Sequence, residues 1–307
     1  MNNKIAAGRG PCLYMGLLTL ASVIAIIYTV FFIDTDAVMK SPRIGLLEIA
    51  MWVTMILNII FVLWHSTVVK GPRPALLAAV VTILLAWFAE GLGVNYGMIF
   101  GAYHYSDLLG YKIWGVPLVV CIGWEPILYA AYMMTDLLIP SQLDKSKHLF
   151  QRGVPIVMLA AVGAVVATVL DLVGDPDAVS RGWWIWHDGG PYVTNIHGGV
   201  PITNYTGWLA LSFVCQLVYR LVHEVAPRTR RSVYLNVYGP VLLYLNLFLF
   251  VETFAYLYVK RMDVVLIGMA IGGILILGIA KVCIFRFGAE ASRIEYGEDD
   301  RPERAAA

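Results

Sequence analysis

The chain alternates long apolar runs with short polar breaks. Runs of about twenty apolar residues fall near 12–33, 44–66, 75–98, 114–139, 153–173, 207–223, 236–259 and 264–285. A helix of that length crosses the hydrocarbon core of a bilayer. The pattern predicts an all-α, polytopic membrane bundle of about eight transmembrane helices, or seven if the short run at 207–223 is not a span. Residues 1–288 form a single transmembrane domain in this reading. The polar tail 289–307 is too poor in apolar residues to pack and is expected to be disordered. Two breaks differ from the rest: a Gly/Tyr-rich link at 99–113, and a long link at 174–206 that contains Trp183, Trp184 and Trp186. A link that long within a compact domain is usually functional. Its tryptophans predict a Trp-rich external cap loop or re-entrant segment, the plainer alternative being an aromatic belt in the headgroups.

Composition agrees: 59% of the 307 residues are hydrophobic, 14% are charged, and mean hydropathy is +0.73. A net charge of +1 gives no reason to expect a nucleic-acid partner. Sixteen of the 22 Lys and Arg fall on the side that carries the N-terminus, the even-to-odd connections and the C-terminus, and six on the other. The positive-inside rule then predicts both termini cytoplasmic in a multi-pass cell-membrane protein. The first apolar run is too long for a signal-peptide core and reads as a retained span. Cys12, Cys121, Cys215 and Cys283 lie in apolar runs without a CxxC pair, so neither a disulfide framework nor a zinc site is expected.

Against this background the membrane-depth acids stand out, since such groups are costly and tend to mark function. Glu90, Glu125, Asp171 and Glu252 lie in the middle or outer half of their predicted spans, and Asp175 follows Asp171 by one helical turn. Glu90, Gly93 and Gly97 share a helix face that allows close approach. None of these spans offers a Lys or Arg partner, and a carboxyl group buried without one keeps its proton because burial disfavours charge. Each acid also has a plain structural reading. Glu90 and Glu252 would tie helices together, Glu125 would serve a backbone group near Pro126, and Asp171 with Asp175 would form a helix-end turn at Pro176.

The six histidines make no HxxxH or HxxHH cluster of the kind that holds two irons, so no metal is expected. No Gly-rich nucleotide loop occurs, and no cofactor is expected. Acids and aromatics together suit protonation of an electron-rich alkene. The tertiary cation would be held over aromatic faces, each contact worth about 0.5–2 kcal/mol, and then captured by water or by another double bond. Isoprenoid hydration and cyclisation both follow this outline.

Three stretches then gain meaning as an ordered series: "AEGLGVNYGMIFGAYHYSDLLGYKIWGVPLVVCIGW", "DLVGDPDAVSRGWWIW" and "GGVPITNYTGW". Together they resemble the blocks of the carotenoid biosynthesis membrane protein family, whose characterised members are the CruF-type carotenoid 1,2-hydratases and the bisanhydrobacterioruberin hydratases. The resemblance implies a cofactor-independent hydro-lyase in carotenoid biosynthesis. It would add water to the terminal double bond of an acyclic, ψ-type carotenoid end, with carotenoid, water and membrane lipid as its partners. Glu90, Tyr103, Tyr105, Asp171, Asp175, Asn204 and Trp208 match the family blocks. From the residues themselves, Glu90 and Asp171 are candidate proton donors, Asp175 and Asn204 candidates for holding water, and Glu125 a further catalytic candidate. Tyr103, Tyr105, Trp124, Trp184, Trp186, Trp208 and Glu252 are candidate substrate contacts. The stretch between Trp186 and Pro201 is longer than the family's usual link, so the end group of the substrate stays open. The alternatives are a carotenoid cyclase, an intramembrane prenyl transferase using Asp171 and Asp175, and a proton-coupled transporter of a lipophilic substrate.

Overall fold

The computed structural model describes residues 13–25, 27, 44–139, 149–194, 199–225, 238–258, 266–278 and 281. The fold is mainly helical. In chain order the helices are α1 (Leu13–Ala25), α2 (Ile44–Lys70), α3 (Pro72–Tyr96), α4 (Leu118–Leu138), α5 (Leu149–Ser180), α6 (Ile202–Val225), α7 (Gly239–Tyr258) and α8 (Leu266–Gly278). Four of them, α2 to α5, contain stretches long and apolar enough to cross a membrane. The expected tail at 289–307 and both chain termini lie outside the described residues, as do the ends of the first and last predicted spans.

Helix α5 lies at the centre of the bundle and packs against α4, α6 and α7. Helix α3 packs against α2, α4 and α6. The core between them is aromatic and aliphatic, with Phe61, Leu128, Tyr129, Tyr219, Leu243 and Tyr244 fully buried. The packing leaves a large share of apolar side chains on the outer faces, Leu76, Leu84 and Val154 among them. Such a surface suits lipid rather than water.

Two helix ends depart from the sequence reading in ways that matter for the site. Helix α5 was expected to stop at 173, but it runs through Pro176 to Ser180. Proline removes one backbone donor without stopping this helix. Its end comes at Gly182, whose φ of 66° is left-handed and whose neighbour Trp183 donates its N–H back to Ala178 O (3.0 Å). Helix α6 begins at Ile202, directly after Pro201, rather than near 207. The long link is therefore 181–201, and Asp171, Asp175 and Asn204 all stand on helices.

A third boundary also moves. The apolar run from 114 was read as the start of a span, yet residues 112–117 form a hairpin. Strands β2 (Lys112–Ile113) and β3 (Val116–Pro117) are joined by Trp114 and Gly115, both at positive φ, 56° and 80°. That pair of left-handed residues is the tight turn that suits twisted strands. A Cβ on Gly91 would come within 2.1 Å of the Trp114 ring, so the bare glycine of α3 is what lets the hairpin dock.

The other strands join the two unusual links. Strand β1 (Ala102–Tyr105) pairs antiparallel with β4 (Trp184–Asp188), with Tyr103 opposite Trp186 and Tyr105 opposite Trp184. Strand β5 (Tyr192–Thr194) pairs with β6 (Val200–Pro201). The two-residue period of a strand buries Tyr103, Tyr105 and Trp186 on one face and leaves His104, Ile185 and His187 exposed on the other.

Candidate active site

At the strand-bearing end of the bundle, helix α3 carries Glu90 one and a half turns before its C-terminus. The helix ends at Gly97 in the left-handed conformation, with Gly97 N–H donating to Gly93 O (2.9 Å) and Met98 N–H to Leu92 O (3.3 Å). The chain then reverses, and β1 brings its tyrosines back over the last turns of α3. Gly93 makes room for this, since a Cβ there would lie 2.7 Å from the Tyr103 ring. Three donors converge on Glu90: the Tyr103 hydroxyl, the Tyr105 hydroxyl (2.7 Å) and Trp124 Nε1 from α4 (2.9 Å). Burial raises the Tyr103 and Tyr105 hydroxyls well above the ordinary phenol value, and the Glu90 charge beside them adds to it. Both therefore stay protonated and remain donors.

Facing Glu90, helix α5 carries Asp171 and Asp175, one turn apart on one face. Asn204, in the first turn of α6, bridges them: its Nδ2 donates to Asp171 Oδ2 (3.1 Å) and to Asp175 Oδ2. All three are buried. One amide shared by two buried carboxyl groups is unusual, because two like charges that close repel strongly where the dielectric is low. Asp177, also in this region, is tied instead to Arg181 (2.7 Å), whose guanidinium lies 4.6 Å from the Trp183 ring centre.

Glu90, Asp171, Asp175 and Asn204 line one cavity of about 210 Å³. Its aromatic walls come from several elements. Trp124 of α4 stacks on Trp208 of α6 with ring centres 3.9 Å apart, Tyr103 lies 5.4 Å from Trp186, and Tyr105 lies 5.7 Å from Trp184. Each of these six rings also lines the cavity. The lining also includes apolar side chains, Met55 of α2, Ile127 of α4 and Leu247 and Phe250 of α7 among them. Chemically this is a small, electron-rich chamber lined by carboxyl groups and aromatic rings.

The model of the family described as "Carotenoid biosynthesis protein" matches residues 50–275, about three quarters of the chain. The chain belongs to the carotenoid biosynthesis protein family. Membership, with the apolar helices, makes it a membrane protein of carotenoid biosynthesis. Among curated proteins it is similar to bisanhydrobacterioruberin hydratase of Haloarcula japonica, 29% identical over 185 residues, which cover 57% of this chain and 58% of the relative. The match thus spans less than two thirds of that protein's length. No solved structure matches the chain.

The matched region holds the whole cavity, and it also holds two acids that stand apart from it. Glu125 of α4 does not line the chamber. It accepts from Thr82 Oγ1 of α3 (2.8 Å) and from the Tyr219 hydroxyl of α6, tying three helices together. Glu252 of α7 does not line it either. Its side chain meets α8 where Gly268 lacks a Cβ, and both its oxygens are buried without a hydrogen-bond partner. Spacing explains this: Leu247 and Val251 face the chamber, whereas Phe248 and Glu252 face Gly272 and Gly268. Sequence reasoning passed over Trp52, Asn58 and Trp183, which also line the cavity. Trp52 stacks on Trp183 (5.7 Å), closing α2 against the start of β4. Asn58 is a polar residue within an apolar span, the same signal that marked the acids, but as an uncharged residue it did not draw notice.

Proposed function

We propose that the protein is a carotenoid hydratase that adds water to the terminal double bond of an acyclic carotenoid end. The observation that carries this reading is the convergence of Glu90, Asp171, Asp175 and Asn204 on one aromatic-walled cavity in a chain of this family. The name of the Haloarcula japonica relative supports it. In this reading the protein is multi-pass with both termini cytoplasmic, and the paired strands close the external end of the bundle over the chamber.

The Asp171–Asp175 pair holds one proton between its carboxyl groups, since repulsion prevents both from ionising. That proton passes to the less substituted carbon of the terminal double bond. The positive charge then sits on the tertiary carbon, facing the Trp124, Trp208, Tyr103 and Trp186 rings, whose π-faces attract a cation. Glu90, held by three donors, presents fixed acceptor oxygens to the same chamber. Water attacks the tertiary carbon, a C–O bond forms, and the surplus proton of the water returns to the aspartate pair. The sum is one alkene plus one water giving one tertiary alcohol, with no change of oxidation state and no cofactor consumed.

Cyclisation would begin with the same protonation. The buried polar groups that can hold water favour hydration over ring closure. The experiment is expression of the full chain in cells that make an acyclic carotenoid, grown in oxygen-18 water. A product heavier by one water, labelled from water and not from oxygen gas, is expected. An unlabelled product, or one of unchanged mass with a ring, would reject hydration.

A further inference from the structure

Water capture requires a group that holds the water against the cation, and neither Glu90 nor the aspartate pair is free for that alone. Asn58 of α2 is 1% exposed and lines the same cavity. Its Nδ2 donates to Thr54 O (3.0 Å), within its own helix. A carbonyl oxygen accepts only from a donor, so the amide nitrogen must face Thr54 and the orientation of the side chain is fixed. The other end, Oδ1, is buried and has no hydrogen-bond partner. Gln216 Oε1 and Asn246 Oδ1 are likewise buried without a partner, but of the three amides Asn58 alone lines the chamber, where a ligand could supply the missing donor.

The level of Asn58 in the bundle fits. The His65–Tyr129 hydrogen bond (2.7 Å) sets α2 against α4. Gln216 donates to Leu128 O (2.9 Å), and its side chain lies where a Cβ on Gly163 would fall, which sets α6 and α5 against α4 at nearly the same level. Counting outward from these contacts at about 1.5 Å per residue places Asn58 and Asp171 within about one helical turn of each other. Asn58 and the proton donor therefore stand at about one depth in the wall of the same chamber.

We propose that Asn58 positions the attacking water, its Oδ1 accepting one O–H so that the oxygen lone pair points at the tertiary cation. The inference rests on the hydration reading above. It makes Asn58 a determinant of the fate of the cation rather than of its formation. With the water held, the C–O bond forms and one water proton goes to the aspartate pair. Without it, the cation loses a proton from an adjacent carbon to the same pair and becomes an isomeric alkene, with no net atoms gained.

The test is a product ratio measured on the full chain in membranes supplied with an acyclic carotenoid. Deuterated water counts protonation events, because hydrate and isomer both acquire a carbon-bound deuteron. Wild-type protein should give mainly hydrate. Asn58→Leu, apolar and of similar size, should keep deuterium incorporation but lower the hydrate-to-isomer ratio by about tenfold, the size of one lost hydrogen bond of ordinary strength. Asn58→Asp, which retains an acceptor oxygen, should restore the ratio. A ratio in Asn58→Leu equal to wild type, or no rescue by Asn58→Asp, would overturn the proposal. The ratio counts products and not enzyme, so partial loss of folded protein does not disturb it, and Asn58→Ala, which also lacks an acceptor, gives the same reading if the leucine variant fails to accumulate. Wild-type protein that makes no water adduct would overturn the hydration reading itself, and this inference with it.

Discussion

Glu90 and the aspartate pair differ in how they are held, and the difference sorts the roles proposed for them. Glu90 receives three donors, so Glu90→Gln replaces an acceptor oxygen with a donor that cannot satisfy them. Conversion by Glu90→Gln and by Asp171→Asn should each fall by about 10²–10⁴-fold, read as product per folded protein, as expected for groups that carry or face the transferred charge. Wild-type rates in both would remove the site. On the outer face of β1, His104 Nδ1 lies 2.7 Å from His187 Nε2, with ring centres 4.7 Å apart. Partial loss of solvent against the paired strand, and then the neighbouring His187, lower the tendency of the largely exposed His104 to take a proton. The unfolded chain therefore binds more protons than the folded one around the ordinary histidine value of about 6.5, and stability falls as the pH drops through that value. Thermal unfolding between pH 8 and pH 5 should show a falling midpoint, and the fall should shrink in His187→Gln.

Elements place these residues by the points at which they stop. Helix α3 ends because Gly97 turns left-handed, and β1 can then return its tyrosines to Glu90. The β2–β3 hairpin is seated by Trp114 on Gly91, between Trp87 and Phe88 at ring distances of 5.7 and 5.9 Å. Gly91→Ala should lift this hairpin, because the added methyl group overlaps the indole. Faster tryptic cleavage after Lys112 would report it, and unchanged cleavage would refute the docking. Glu125 is a tie between helices in this account. Tyr219→Phe leaves a buried carboxyl oxygen short of a donor, at a cost of about 1–3 kcal/mol. It should lower the unfolding midpoint while leaving the hydrate-to-isomer ratio as in wild type. The apolar runs made the helices legible in advance. The ends were harder to read, because Pro176 resembles a stop and the Trp114–Gly115 pair resembles the start of a span, and only backbone hydrogen bonding separates such cases.

The whole molecule encloses much less than its proposed substrate. Pockets that take a drug-sized ligand measure about 300–1,000 Å³, and this one measures about 210 Å³. In the proposed reading it would take an end group, with the remainder of the polyene left outside the chamber. A carotenoid with two reactive ends must therefore leave and return between hydrations. A time course should show the singly hydrated product rising before the doubly hydrated one. Simultaneous appearance of the second hydroxyl, with no intermediate at any time, would contradict a chamber for one end.

From the sequence alone, the membrane class, the helical architecture, the family and ten of the residues that line the chamber could be read. Those properties follow from hydrophobic run length, from the cost of charge in an apolar span and from ordered short motifs, all of which are local along the chain. Which acids meet in one chamber is not local. Glu90, Asp171 and Asn204 come from three helices, Glu125 and Glu252 look equally exceptional in sequence, and only the packing of α3, α5 and α6 around one chamber separates the first group from the second. The packing likewise turned Asn58 from an ordinary polar residue in a span into an oxygen waiting for a donor, because burial and unmet hydrogen bonding are properties of the folded bundle.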